Sequence, residues 1–209
     1  MLAQATINRP TRRRWLLRLA LLAILIAIAV GAAFAFLTLR TYHFATVQSG
    51  VLYRCGNRGM AEFSNTVGRV HPKTVVSLID NGELGDPRKP QFAQEATYLA
   101  NHHIAQDRIP VKLGGWPSSD DIQQFLAIVD NPTNRPVLVH CAQGVRRTGM
   151  FVAAYQESVL HYTPQQAKNA IESFGHNAQT VDDIKTFIDH YDPATRSVSP
   201  IEKTPTSNE

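Results

Sequence analysis

VLVHCAQGVRRTGMFVAAY, residues 137–155, decides how the rest of the chain is read. A run of small apolar residues stops at His140 and Cys141, passes Gly144 and two arginines, and resumes in a helical apolar pattern. A loop running from a strand end into a helix start offers backbone N–H groups that lack intrahelical partners and lie near the positive end of the helix dipole. Gly144 permits the tight curvature that aims those groups inward. The result is a cradle for a phosphate-like anion, with Ala142, Gln143, Gly144, Val145, Arg146 and Arg147 as its expected binding residues.

Arg147 adds a planar fork that matches two phosphate oxygens, a fit lysine lacks. Cys141 lies at the base of the cradle, where positive surroundings depress a thiol to a pKa of about 3.5–7.5 and make the thiolate the nucleophile. Thr148 is placed to hydrogen-bond the sulfur, and His140 to orient the cysteine rather than act as a base. An inert cysteine packed as a small hydrophobe leaves the two arginines and the Thr148-Gly149 pair without a packing rationale.

Working outward, KTVVSLID (73–80) reads as a buried strand ended by the Asn81-Gly82 turn pair, followed by the loop GELGDPRKP (82–90). A helix over about 90–101 leads to a second strand, HIAQDRIPV (103–111), and a helix whose cap and first-turn acids come from Ser118-Ser119-Asp120-Asp121 presents Ile122, Phe125, Leu126 and Val129 on one face. RPVLVH (135–140) is the third strand. Before them, YHFATVQSGVLYR (42–54) suggests a hairpin around Ser49-Gly50, with a short helix over 61–69. After them come helices over about 147–161, 164–174 and 181–191, the last with a Thr180/Asp183 capping box. Alternating strands and helices imply an α/β fold with a central, largely parallel sheet flanked by helices, and ligands bind at the carboxyl ends of such strands.

The net charge is +4, but six arginines fall within residues 1–40, which hold no acid, so the remainder is slightly acidic. With no basic stripe interleaved with aromatics, nucleic acid is not an expected partner. Residues 19–39 carry no charge over 21 positions, enough for one transmembrane helix. That stretch exceeds a usual signal-peptide apolar region, so an uncleaved anchor is expected although Ala33-Phe34-Ala35 offers a small-x-small site. Arg9, Arg12, Arg13, Arg14 and Arg18 precede the span, which places the N-terminus in the cytoplasm and the globular part on the extracytoplasmic, periplasmic side. The expected organisation is a basic segment 1–18, a membrane helix 19–39, a catalytic domain 41–194 and a disordered tail 195–209. Cys55 and Cys141 form no metal-type spacing, and His102, His103, His161, His176 and His190 share none, so neither a metal nor another cofactor is expected. Trp116 is expected to pack rather than to recognise a substrate, and Cys55 to be a small-residue substitution, its sharper alternative being a reversible disulfide with Cys141.

His140-Cys141, Gly144, Arg147, Thr148 and Gly149 together form H-C-x-x-G-x-x-R-T-G after an apolar strand. This resembles the signature of the cysteine-dependent protein tyrosine and dual-specificity phosphatases. The likeness extends over about residues 45–192: VLYRCGN is similar to the family's entry motif and KTVVSL to the strand after it. The chain departs at Cys55, where serine is usual, and at Leu78-Ile79, where Leu-Arg is common. The resemblance implies a compact phosphatase domain without metal that hydrolyses phosphomonoesters through a phosphocysteine. It implies as partner a phosphorylated protein, and tethering adds a lipid head group, an inositol phosphate or another small phosphorylated substrate. It also implies an acid about thirty residues before the cysteine, yet the corresponding loop KLGGWPSS has none. Asp107 is the first choice for that acid; Asp120 or Asp121, Asp80 and no protein acid are the alternatives. The missing loop aspartate keeps open a phosphate-binding module with little turnover, and a sulfur-transfer enzyme is a weaker alternative.

Overall fold

The computed structural model describes residues 9–199 and divides the chain into two units, residues 1–40 and 41–209. The first is a helix, α1 (Arg9–Leu39), whose 23-residue stretch Arg14–Phe36 contains an 18-residue window of mean hydropathy 2.8, none of it buried. At 1.5 Å per residue that stretch reaches about 34 Å, long enough to cross a bilayer core. The helix starts ten residues before the expected span, so much of the basic segment and the apolar stretch form one continuous element.

The second unit is a three-layer α/β/α domain. Its elements run β1 (Ala45–Gln48), β2 (Leu52–Gly56), α2 (Met60–Val70), β3 (Thr74–Ser77), α3 (Asn81–Leu84), α4 (Pro90–Asn101), β4 (Ala105–Arg108), α5 (Ser119–Asp130), β5 (Val137–Cys141), α6 (Arg146–Ser158), α7 (Pro164–Asn169), α8 (Ala178–His190), β6 (Tyr191–Asp192) and β7 (Ser197–Val198). The five-stranded sheet has the order β1-β2-β5-β3-β4, with β1 antiparallel to β2 and every other pair parallel. β5 is therefore central, and its five residues are all buried.

Alternation along β5 separates two cores. Val137, Val139 and Cys141 join α5, α6 and α8 through Phe125, Phe151 and Phe187, whereas Leu138 joins Phe63, Val67, Leu99 and Cys55 against α2 and α4. Cys55 and Cys141 thus belong to opposite faces of the sheet, and both are free thiols. No Cys55–Cys141 bridge forms without turning one strand over.

Several expectations need correction. The loop after β3 contains a helical turn, α3, because Asp80 caps it and Glu83 returns the capping-box bond; that pairing overrides the Asn81-Gly82 turn signal. α7 ends at Asn169, short of the expected 174. α8 begins at Ala178 because Asn177, not Thr180, caps it: the Asn177 side chain accepts from the Thr180 N–H at 3.0 Å. Residues 197–198 pair with 191–192 as β7, so the chain remains ordered beyond the expected end of the domain at 194, while residues 200–209 of the expected tail lie outside the described residues.

Candidate active site

β5 carries Cys141 to the carboxyl end of the sheet, and α6 begins five residues later at Arg146. Between them lies a cavity of about 450 Å³, within the range of roughly 300–1,000 Å³ for ligand pockets. Cys141, Ala142, Gln143, Val145, Arg146 and Arg147 line it. Gly144 does not line it, but its N–H donates to Cys141 Sγ at 3.1 Å. Gly144 adopts φ 69°, and a Cβ there would overlap the backbone of Cys55 and Gly56, so the loop closes only on glycine.

The loop carbonyls are held by donors outside the loop. The Asn57 N–H donates to the Cys141 carbonyl at 3.0 Å, and the buried Arg54 donates through Nη2 to the Gly144 carbonyl at 2.7 Å. A planar trans peptide points its C=O and N–H in opposite directions, so fixing the Gly144 carbonyl on Arg54 turns the Val145 N–H the other way. Burial lowers the Arg54 pKa to about 10, opposed by the negative charge of Cys141, and at that value the side chain remains a cation at neutral pH.

Cys141 is 2% exposed, and burial alone pushes its thiol up. The Arg147 charge, the Thr148 hydroxyl and amide and the Gly144 N–H outweigh burial and bring the thiol below its ordinary value. Thr148 Oγ1 is buried and otherwise unpartnered, which leaves it available to the sulfur. His140 is fully buried on the opposite side of the sheet, where its Nε2 meets Glu95 Oε1 at 3.0 Å. Burial pulls the imidazole down, but the charge and hydrogen bond of Glu95 raise it overall. Glu95 also accepts from Asn57 Nδ2 at 2.6 Å and Gln106 Nε2 at 2.8 Å, so one buried carboxylate ties β5, β4 and the segment after β2 together.

Glu83 escaped the sequence reading. It lines the cavity and accepts from Arg147 Nη1 at 2.6 Å and Nη2 at 3.3 Å, while the Leu78 and Val111 carbonyls each accept from Nη1 at 3.0 Å. Burial pushes the Glu83 carboxyl up, but its bonds to Arg147 and Lys89 hold it below its usual range. The Asp80-x-x-Glu83 capping pattern was the available signal. Arg146 is otherwise engaged: its Nε donates to Asp183 Oδ2 at 2.5 Å and its Nη1 to the Gly115 carbonyl at 2.6 Å, with the guanidinium 5.5 Å over Trp116. Trp116 itself packs on Phe187 at 6.2 Å.

The candidate acids are scattered. Asp107 sits on β4 opposite Val76 of β3, Asp121 closes the capping box of α5 with Asp120 beside it in the first turn, and Asp80 caps α3. None of the four lines the cavity, where Glu83 is the only carboxylate among the described residues; Gly114 of the KLGGWPSS loop does line it. His176, one of the histidines without metal-type spacing, also lines it.

Residues 72–189 match the family model described as PTP-NADK, a DSP-PTPase phosphatase fused to NAD+ kinase. The chain is 28% identical over 87 residues to the probable NAD kinase 2, chloroplastic, of Oryza sativa subsp. japonica, a stretch that covers 42% of this chain and 9% of the rice protein. Among solved structures it is similar to the core catalytic domain of the PP-IP phosphatase SIW14 from S. cerevisiae, at 22% identity and a TM-score of 0.57, covering 73% of this chain and 87% of that one. It is also similar to P. aeruginosa TpbA, at 21% identity, a TM-score of 0.57 and coverage of 74% and 88%. A putative phosphatase from Shewanella putrefaciens CN-32 aligns at 18% identity, a TM-score of 0.53 and coverage of 71% and 92%. These likenesses show a common fold. Taken with the family match over more than half its length, they mean that this chain belongs to the DSP-PTPase family and carries a cysteine-dependent phosphatase domain that hydrolyses phosphoesters.

Proposed function

We propose that Cys141 is the nucleophile and that the 142–147 loop with Arg147 is the phosphate site. The observation that carries this reading is the Gly144 N–H on Cys141 Sγ at 3.1 Å, in a cavity that Arg147 also lines. The thiolate attacks phosphorus, the P–O bond to the leaving group breaks, and the departing oxygen takes a proton. Water then attacks the phosphocysteine, releasing inorganic phosphate and returning the thiolate. Loop amides and Arg147 stabilise the charge on the equatorial oxygens. With no aspartate among the described residues that line the cavity, leaving groups that depart without a strong protein acid turn over best: aryl phosphates, phosphotyrosine included, ahead of alkyl phosphates.

The substrate is a phosphorylated protein, in keeping with the TpbA structure solved in complex with pTyr. A second reading, a small polyanionic phosphate ester, is favoured by Arg58 and Lys89 in the cavity wall and is in keeping with the likeness to SIW14, a PP-IP phosphatase. α1 anchors the chain in a membrane with the catalytic domain, residues 41–194, on the extracytoplasmic side, supported by the arginines that precede the apolar stretch.

The test is turnover of p-nitrophenyl phosphate by the full chain in detergent beside Cys141→Ser and Asp107→Asn, followed by phosphopeptides and inositol phosphates. Cysteine-dependent release of nitrophenol is expected, with Asp107→Asn leaving the alkaline limb of the pH–rate profile in place. Equal activity in Cys141→Ser removes the nucleophile, and binding without turnover leaves only a phosphate-binding module. For topology, a C-terminal alkaline phosphatase fusion is expected to be active; an inactive fusion beside a fluorescent cytoplasmic one reverses the orientation.

A further inference from the structure

The peptide joining Gln143 to Gly144 is gripped at both ends. Its N–H donates to Cys141 Sγ at 3.1 Å, and its carbonyl accepts from His43 Nδ1 at 2.6 Å. In a planar trans peptide these two groups point oppositely, so a donor holding the carbonyl on one side keeps the N–H aimed at the sulfur on the other. Nδ1 carries the proton in this bond because a carbonyl only accepts, and it keeps that proton in the charged imidazole as well.

His43 is itself well seated. It stacks on Tyr42 at 3.9 Å and on Phe174 at 4.7 Å, and it meets His176 edge-on at 5.2 Å. The Tyr42 hydroxyl donates to Gln143 Oε1 at 2.5 Å, and its carbonyl accepts from the Gly56 N–H at 2.9 Å. Phe174 in turn lies 5.5 Å beneath Arg54, the residue that holds the Gly144 carbonyl. His43 adopts φ 49°, a left-handed conformation that costs an ordinary residue energy and that asparagine and histidine tolerate better than most. The short segment begins three residues after the end of α1 at Leu39.

We propose that Tyr42 and His43 are positioning residues for the phosphate loop, His43 acting through the Gln143 carbonyl to aim the Gly144 N–H at the Cys141 sulfur and Tyr42 by fixing the Gln143 side chain. This rests on the reading of Cys141 as nucleophile. It places part of the catalytic apparatus upstream of the signature motif and of residues 72–189, in the segment that follows the membrane helix.

The experiment compares His43→Asn with His43→Leu in the full chain in detergent. The two side chains match in shape, both remove the ring, and only asparagine offers an amide N–H at the place of Nδ1. Iodoacetamide alkylation of Cys141, followed by peptide mass mapping across pH, reads the thiolate without any substrate; kcat and KM on p-nitrophenyl phosphate are measured beside it. The expected result is that leucine moves the alkylation midpoint upward by about 0.5–1 unit and lowers kcat/KM about 3–10-fold, equivalent to about 0.7–1.4 kcal/mol, while asparagine restores most of both. Equal profiles for the two variants, or a leucine profile that matches the parent, overturn the proposal. Should the leucine variant melt below the assay temperature, Tyr42→Phe decides: it removes one hydroxyl, and a fall in kcat/KM with an unchanged melting temperature is expected, whereas parental kinetics contradict the strap. If the parent shows no Cys141-dependent turnover, the phosphatase reading fails at this site while the alkylation arm still decides the role of His43.

Discussion

Glu83 Oε2 accepts a hydrogen bond from Arg147 Nη1 at 2.6 Å, across 64 positions of sequence, and both side chains are nearly buried. The pair fixes the guanidinium, whose Nη1 also donates to the Leu78 and Val111 carbonyls. Removing one member leaves the other charge buried and poorly paired, a loss of about 3–5 kcal/mol for such pairs. Glu83→Ala is expected to lower the melting temperature and kcat/KM together. Arg147→Lys keeps the charge but loses the fork, and is expected to lower kcat by about 10²–10³-fold, the cost of losing one oxyanion donor. Steady-state kinetics beside thermal melts check both, and parental kcat in Arg147→Lys contradicts the assigned role.

Arg146 behaves differently from its neighbour. Bonded to Asp183 and to the Gly114 and Gly115 carbonyls, it latches the 113–116 loop to α8. Arg146→Ala is expected to lower kcat/KM by less than Arg147→Lys and to open the loop to proteolysis near Gly114-Gly115. Asp183→Asn is expected to show the same proteolytic sensitivity. Limited proteolysis with mass mapping checks this, and a loop equally resistant in all three proteins argues against the latch.

Cys55 and Cys141 face opposite sides of the sheet, and burial pushes the Cys55 thiol well up. Mild peroxide is therefore expected to oxidise Cys141 alone, with Cys55→Ser leaving the rate of inactivation unchanged. Peptide mapping under non-reducing conditions checks it, and a linked Cys55–Cys141 peptide contradicts the two-faced placement.

Glu157 on α6 is buried, and neither carboxylate oxygen has a hydrogen-bond partner. Burial raises its pKa to about 7, with the Asp189 charge adding and Lys168 opposing; Lys168 itself bonds Asp189 at 2.5 Å, and Tyr191 lies close enough to feel the Glu157 charge. The folded state then binds more protons than the unfolded chain between the ordinary carboxylate pKa and about 7, so this group's contribution to stability falls as pH rises through that window. Glu157→Gln is expected to raise the melting temperature at pH 8 and to leave it nearly unchanged at pH 4. Melting curves across pH check it, and equal shifts at both ends contradict the burial argument.

The signature loop was legible because its chemistry is contiguous: strand, cysteine, glycine and arginine follow in order, and each needs only its neighbours to be interpreted. The sheet followed from apolar runs at 73–80 and 135–140. What escaped was long-range. Glu83 meets Arg147, Arg54 meets Gly144 and Glu95 meets His140 only after the strands pair. Asp183 looked like a capping acid from spacing alone, but Asn177 takes the cap and frees Asp183 for Arg146. His43 offered no local signal, since its acceptor lies 100 positions downstream.

The most direct test of the nucleophile is a rapid-quench experiment in which the full chain is mixed with p-nitrophenyl phosphate, stopped in acid within the first turnover and mapped by mass spectrometry. A burst of nitrophenol with a phosphoryl group on the Cys141 peptide, absent in Cys141→Ser, is the predicted result. Turnover with no phosphorylated Cys141 peptide, undiminished in Cys141→Ser, would contradict it.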